Sequence, residues 1–119
     1  MNHRTNLALY VHAIETESDP LLDPFDELVA HAADGDRRAV GAIAIAFGPD
    51  LLAAAEDVLG PCHRADAVDV LQRLFLDLCE KSLHFPRIRG GGLPWLRRTV
   101  RGLARMHLRE TAAPDDVAE

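Results

Sequence analysis

Apolar residues recur along this chain at helical spacing, and glycine and proline divide the pattern into segments. Behind Asp23-Pro24, Phe25, Leu28, Val29 and Ala32 form one inward face. Asp23 suits an N-cap, proline the first helical position, and Asp26 and Glu27 the positive end of the helix dipole. Gly35 ends this helix, and Asp36 caps the next, through Ala39, Val40, Ile43 and Phe47. Gly48-Pro49-Asp50 predicts a break or kink there. Leu51 to Leu59 continues as helix until Gly60-Pro61.

A further helix is predicted from Asp66 to Ser82. At about 100° per residue, Val68, Leu71, Leu74, Phe75, Leu78 and Cys79 share a broad apolar face. Asp66, Asp69, Arg73, Asp77 and Glu80 fall opposite, with Gln72 and Leu76 at the border. A loop from Phe85-Pro86 runs through Gly90-Gly91-Gly92, and Pro94 restarts the chain as helix. There Leu96, Val100, Leu103 and His107 lie in a narrow arc, with Arg97, Arg98, Arg101, Arg105 and Arg109 on the other side.

The expected fold is therefore all-α, a compact helical bundle over residues 24–110. Residues 1–23 form a weakly specified extension, in which Leu7 to Ile14 reads as helix or strand, and 111–119 an acidic tail. The 119 residues suffice for one modest core. Alanine and leucine supply most of the apolar content, which favours helix over sheet. No run of about 18 apolar residues predicts a membrane span. Nor does the N-terminus resemble a secretory signal, so a cytoplasmic location without membrane partners is expected.

The net charge of −6 argues against a nucleic-acid partner until its distribution is followed. Residues 1–80 hold five Lys/Arg against fifteen Asp/Glu; residues 81–109 hold eight Lys/Arg and no acid; residues 110–119 hold four acids. Such a basic block is an electrostatic footprint that the total conceals. Five arginines on one side of a helix repel one another unless something negative lies opposite. Phosphate suits the guanidinium fork, and an acidic protein surface or the chain's own acids would serve as well. Trp95 could stack an unpaired base or anchor the core.

Catalysis and metal binding find little support. Cys62, His63, Cys79 and His84 lack the ligand-pair spacing of a zinc site, and Cys79 reads as a small core hydrophobe. No strand precedes the glycines and no Lys-Ser/Thr follows them, so phosphate-loop readings fail. Asp66 and Asp69 have no metal cluster or water-excluding pocket beside them in sequence. No enzyme activity and no cofactor are expected, and His107 reads as a satisfied core histidine.

Taken in order, Asp26-Glu27-Leu28-Val29, Gly35-Asp36, Phe47-Gly48-Pro49, Asp66-Ala67, Asp69, Gln72, Phe75 and Trp95-Leu96 with the arginine helix carry a family likeness. The chain resembles region 2 of the sigma-70-family transcription initiation factors, most of all the compact extracytoplasmic-function type. The resemblance covers about residues 26–110. It implies that Asp66, Asp69, Gln72, Arg73 and Leu76 dock on the clamp helices of the RNA polymerase core β′ subunit. It also implies that Arg87, Arg89, Trp95, Arg97, Arg98, Arg101 and Arg105 face the minus-ten element of promoter DNA. The loop from Arg87 to Pro94 would then contact an extruded base. Val68 and Arg73 stand where family members usually carry acids, and Gly102 and Met106 where they often carry Asn and Asp. No second helical domain for the minus-thirty-five element is expected in the few residues after the arginine helix, so a partner supplying region 4, or an anti-sigma factor, is expected. Two other readings stay open: a sigma-like interaction module that has lost DNA reading, and a small helical DNA-binding domain independent of polymerase.

Overall fold

Asp23 opens the first helix as its N-cap, its carboxylate accepting the Asp26 N–H at 2.8 Å, with Pro24 inside the first turn. The computed structural model describes residues 22–60 and 63–111, so Leu7 to Ile14, Cys62 and the acidic tail beyond Thr111 lie outside the described residues. Four helices follow in order: α1 (Pro24–Ala33), α2 (Arg37–Leu59), α3 (Arg64–Cys79) and α4 (Gly92–Thr111). Among the described residues there is no strand, and the all-α bundle stands as expected.

The α1–α2 turn is built as its sequence suggests. Gly35 takes a φ of +88°, and Asp36 caps α2 by accepting the N–H groups of Arg38 and Ala39 at 2.9 and 3.3 Å. Of the break or kink foreseen at Gly48-Pro49-Asp50, the break is absent: α2 runs unbroken with Pro49 inside it. Proline forfeits one intrahelical hydrogen bond. Packing offsets that loss, because α2 lies against all three other helices and buries Ala39, Val40, Ile43, Leu51, Ala54, Ala55 and Leu59 on both sides of the proline. The same helix is long and apolar enough to cross a membrane, judged by length and composition alone, which the sequence reading did not anticipate. The core helix of a bundle meets that criterion too, and 33 % of this apolar window is buried inside the bundle.

Leu28, Ile43, Leu51, Leu74, Leu78, Leu96 and Val100 are fully buried and join the four helices in one core. Three side chains depart from their expected faces. Val68 is 40 % exposed, because Ala67 and Val70 fill the positions beside Leu74. Asp77 is buried rather than wet, with Arg73 Nε donating to its carboxylate at 3.0 Å. Phe25 is 51 % exposed and meets the edge of Phe47 with ring centroids 5.9 Å apart.

Helix ends shift for identifiable reasons. Arg64 rather than Asp66 begins α3, and the helix stops at Cys79. Ser82 closes it from outside, its N–H and hydroxyl both donating to the Asp77 carbonyl at 3.0 Å. Gly92 rather than Pro94 begins α4, since the Trp95 N–H already reaches the Gly91 carbonyl at 2.9 Å. Cys79 is half-buried against the core, as a small hydrophobe.

Candidate functional site

The five arginines of α4 divide into two sets. Arg97 forms a two-pronged pair with Asp50 of α2, Nε to Oδ1 at 2.8 Å and Nη2 to Oδ2 at 2.7 Å. That hydrogen bond outweighs the opposing desolvation and, with the lesser help of the Arg97 and Arg101 charges, holds the Asp50 carboxyl below its ordinary value. The guanidinium of Arg97 is held more strongly protonated in return. Arg101 lies 3.8 Å from Asp57, about two helix turns further along α2. For these two arginines the chain's own acids supply the counter-charge, the alternative that the sequence left open. Their position explains it: along α4 they flank the buried Leu96–Val100–Ala104 line on the side next to α2.

Arg98, Arg105 and Arg109 point outward, are exposed, and make no ion pair with any described acid. Along the helix axis they are spaced by roughly 10 Å and 6 Å. Gly102 sits between Arg98 and Arg105 with open space where a Cβ would be. A row of guanidinium groups of this length, which no described acid compensates, suits a line of phosphates.

The loop before α4 is tied down at several points. Phe85 and Trp95 are both buried and pack with ring centroids 5.3 Å apart and planes tilted by 53°. At 8 % exposure, Trp95 closes the base of the loop and is not an open stacking platform, so the core-anchor alternative holds. Arg87, with φ at 59°, reaches Asp34 at the end of α1 across 3.4 Å. Ile88 and Arg89 stand exposed at the tip, and Arg89 pairs with no described acid. Gly91 and Gly92 are closely approached, whereas Gly90 has open space at its Cβ position and a φ of +72°. The carboxylate of Asp26 in α1 accepts Gly90 N–H at 2.6 Å and Gly92 N–H at 2.9 Å.

On α3, Asp69, Gln72, Arg73 and Leu76 share one outward stripe, as expected. Leu76 is 52 % exposed, and Val68 joins the same side. Two large apolar side chains thus lie bare among polar ones, on a helix whose other side is core. Arg73 contributes its guanidinium partly inward, to Asp77. Asp66 departs from this group. Its two carboxylate oxygens meet His63 Nδ1 and His107 Nε2, each at 3.1 Å. Those hydrogen bonds, His107 first and His63 second, hold the Asp66 carboxyl below its ordinary value. Asp66 therefore ties the start of α3 to the last turns of α4, and His107 is satisfied as expected, by a partner the sequence did not reveal. A cleft of about 120 Å³ lined by Asp69, Arg73, Met106, His107 and Glu110 continues between the two helices.

Asp26, Asp50 and Asp57 escaped sequence reading as partners. Each bond joins residues more than 40 positions apart, and helical periodicity only places them on a face. A closer reading of His63 and Asp66, three apart, could have found that half of the cluster. Among the described residues no group of histidine, cysteine and acidic side chains is placed to hold a metal ion. No family model, curated protein or solved structure matches the chain.

Proposed function

We propose that this chain is a sigma region-2-like domain that binds the RNA polymerase core and works in transcription initiation. In this reading it is a binding domain rather than an enzyme, acting in the cytoplasm. The outward stripe of α3 (Asp69, Gln72, Arg73 and Leu76, widened by Val68) docks on the clamp helices of the β′ subunit. The outward arginines of α4 and the Arg87–Arg89 loop contact minus-ten promoter DNA. The observation that carries the reading is the bare apolar pair Val68 and Leu76 set among Asp69, Gln72 and Arg73. Apolar side chains within a polar frame are what a partner helix covers. The family likeness of Asp66-Ala67, Asp69, Gln72 and Phe75 names the partner.

Capture of core polymerase by the tagged chain tests this. Asp69→Ala with Gln72→Ala is expected to keep full helicity and lose capture, because both residues are exposed and neither supports the core. Undiminished capture by the folded double variant rejects the docking surface. One observation favours a second reading: Arg97 and Arg101 are spent on Asp50 and Asp57. A sigma-like module that holds polymerase without reading DNA would need no more arginine than remains. Polymerase capture without any affinity for forked promoter DNA selects that reading. Salt-dependent DNA binding without polymerase selects an independent DNA-binding domain.

A further inference from the structure

Asp26 is 2 % exposed, and no described cation pairs with it. A buried carboxylate is costly unless it is well hydrogen-bonded. Here the compensation comes from the Gly90 and Gly92 N–H groups, at 2.6 and 2.9 Å, and from the positive end of α4 that they introduce. A local Ser, Thr or Asp beside Gly92 would cap α4 at lower cost. It would leave the loop free to move relative to the bundle. A carboxylate from α1, more than sixty residues earlier in the chain, instead pins the loop to the domain's first helix.

The surrounding geometry fits that one purpose. A Cβ on Gly92 would lie 2.9 Å from Asp26 Oδ1 and 3.0 Å from a methyl of Val29, so only glycine lets the carboxylate in. A Cβ on Gly91 would lie 2.9 Å from the Ile88 carbonyl, and Gly90 takes a φ of +72°. The glycine triplet is a fitted part, not a hinge. Asp34, at the other end of α1, holds Arg87 from the opposite flank of the loop. Between the two tethers Ile88 and Arg89 project, both exposed.

We propose that Asp26 is a positioning residue for nucleic-acid binding: it touches no strand, but fixes the Arg87–Gly91 loop in the pose that receives an unpaired strand. This rests on the reading above that the loop contacts DNA. Because Asp26 already occupies the positive end of α4 and Asp34 holds Arg87, phosphates are directed to the side chain of Arg89 rather than to the helix terminus.

The test uses the full chain, a fluorescent single-stranded oligonucleotide and the matching duplex, with amide hydrogen exchange read at Gly90 and Gly92. Asp26→Asn keeps the shape but presents an N–H₂ where one acceptor stood, so one of the two bonds is lost. Gly90→Ala strains the left-handed backbone at an exposed site where the added methyl meets nothing, and leaves the core alone. Both variants are expected to exchange the loop amides faster and to lose single-strand affinity by about tenfold, the size of one stacked or phosphate-held nucleotide. Polymerase capture through α3 should be unchanged in both. Faster exchange with undiminished single-strand affinity overturns the positioning role and leaves the reading of the loop as a DNA contact intact. No single-strand preference in the wild-type chain overturns both. If Asp26→Asn does not fold, Gly90→Ala decides alone.

Discussion

The two sides of α4 use the same amino acid for opposite ends. Toward α2, Arg97 is bonded to Asp50 and Arg101 stands 3.8 Å from Asp57, so each has an acid of the domain beside it. Away from it, Arg98, Arg105 and Arg109 meet no described acid. The difference is one of position on the helix: about 100° of rotation separates a structural arginine from its outward neighbour in sequence. Counting arginines on a helix therefore overstates its affinity for polyanions. The acids of the facing helix decide how many remain. The same division runs along the rest of α4, whose inner side is stitched by Asp26 at its start and Asp66 near its end.

The comparison breaks most directly at the outward set. Replacing Arg98, Arg105 and Arg109 together by alanine is expected to remove most DNA affinity. It should lower the slope of log affinity against log salt by about 2, near 0.7 for each single-strand phosphate contact. Stability should stay within about 0.5 kcal/mol of wild type, as for exposed substitutions that break no bond. Titration of labelled DNA at several salt concentrations, with chemical unfolding in parallel, checks both halves. An unchanged salt slope would place the polyanion elsewhere.

A smaller change separates stability from binding on the same side. Gly102 lies mid-helix with open space at its Cβ position. Gly102→Ala should stabilise the domain by about 0.5–1 kcal/mol, because glycine loses more backbone freedom on folding. DNA affinity should hold, since a methyl group is far shorter than the arginines around it. A loss of affinity despite the gain in stability would mean that the strand approaches the backbone at Gly102.

Local signals were legible in the sequence and long-range ones were not. Asp23, Asp36, Gly35 and Gly60 mark helix ends through short-range chemistry, and all four do so in the fold. The apolar faces of α3 and α4 follow from periodicity, apart from Val68 near the edge of its arc. The unbroken α2 was not legible, because proline's local penalty is offset by contacts with three other helices. Nor was the division of the arginines: periodicity places Arg97 and Arg98 on one broad side, and only the approach of α2 tells them apart. Asp26 is the clearest case. In sequence it is one of two acids in a first turn; in the fold it is the buried anchor of a loop more than sixty residues away.

The smallest expected effect belongs to the inner pair, and its pH dependence identifies it. Asp50 has its carboxyl held below the ordinary value of 3.8 by the hydrogen bond from Arg97, with the charges of Arg97 and Arg101 adding to it. A carboxyl depressed by folding contributes stability that is fully present above its unfolded value and is lost as pH falls through the lower, folded one. The guanidinium partners stay charged throughout, so the carboxylate alone sets the window. Asp50→Asn should therefore melt slightly below wild type at neutral pH, with the gap constant down to about pH 4 and closing in stronger acid. Both partners are more than a third exposed, so the gap should be a few degrees at most. Melting curves of the two proteins from pH 7 to pH 2 measure it. Arg98→Ala, on the other side of the same helix, should show no such gap at any pH. If the two variants behave alike, the division between inner and outer arginines has no energetic content.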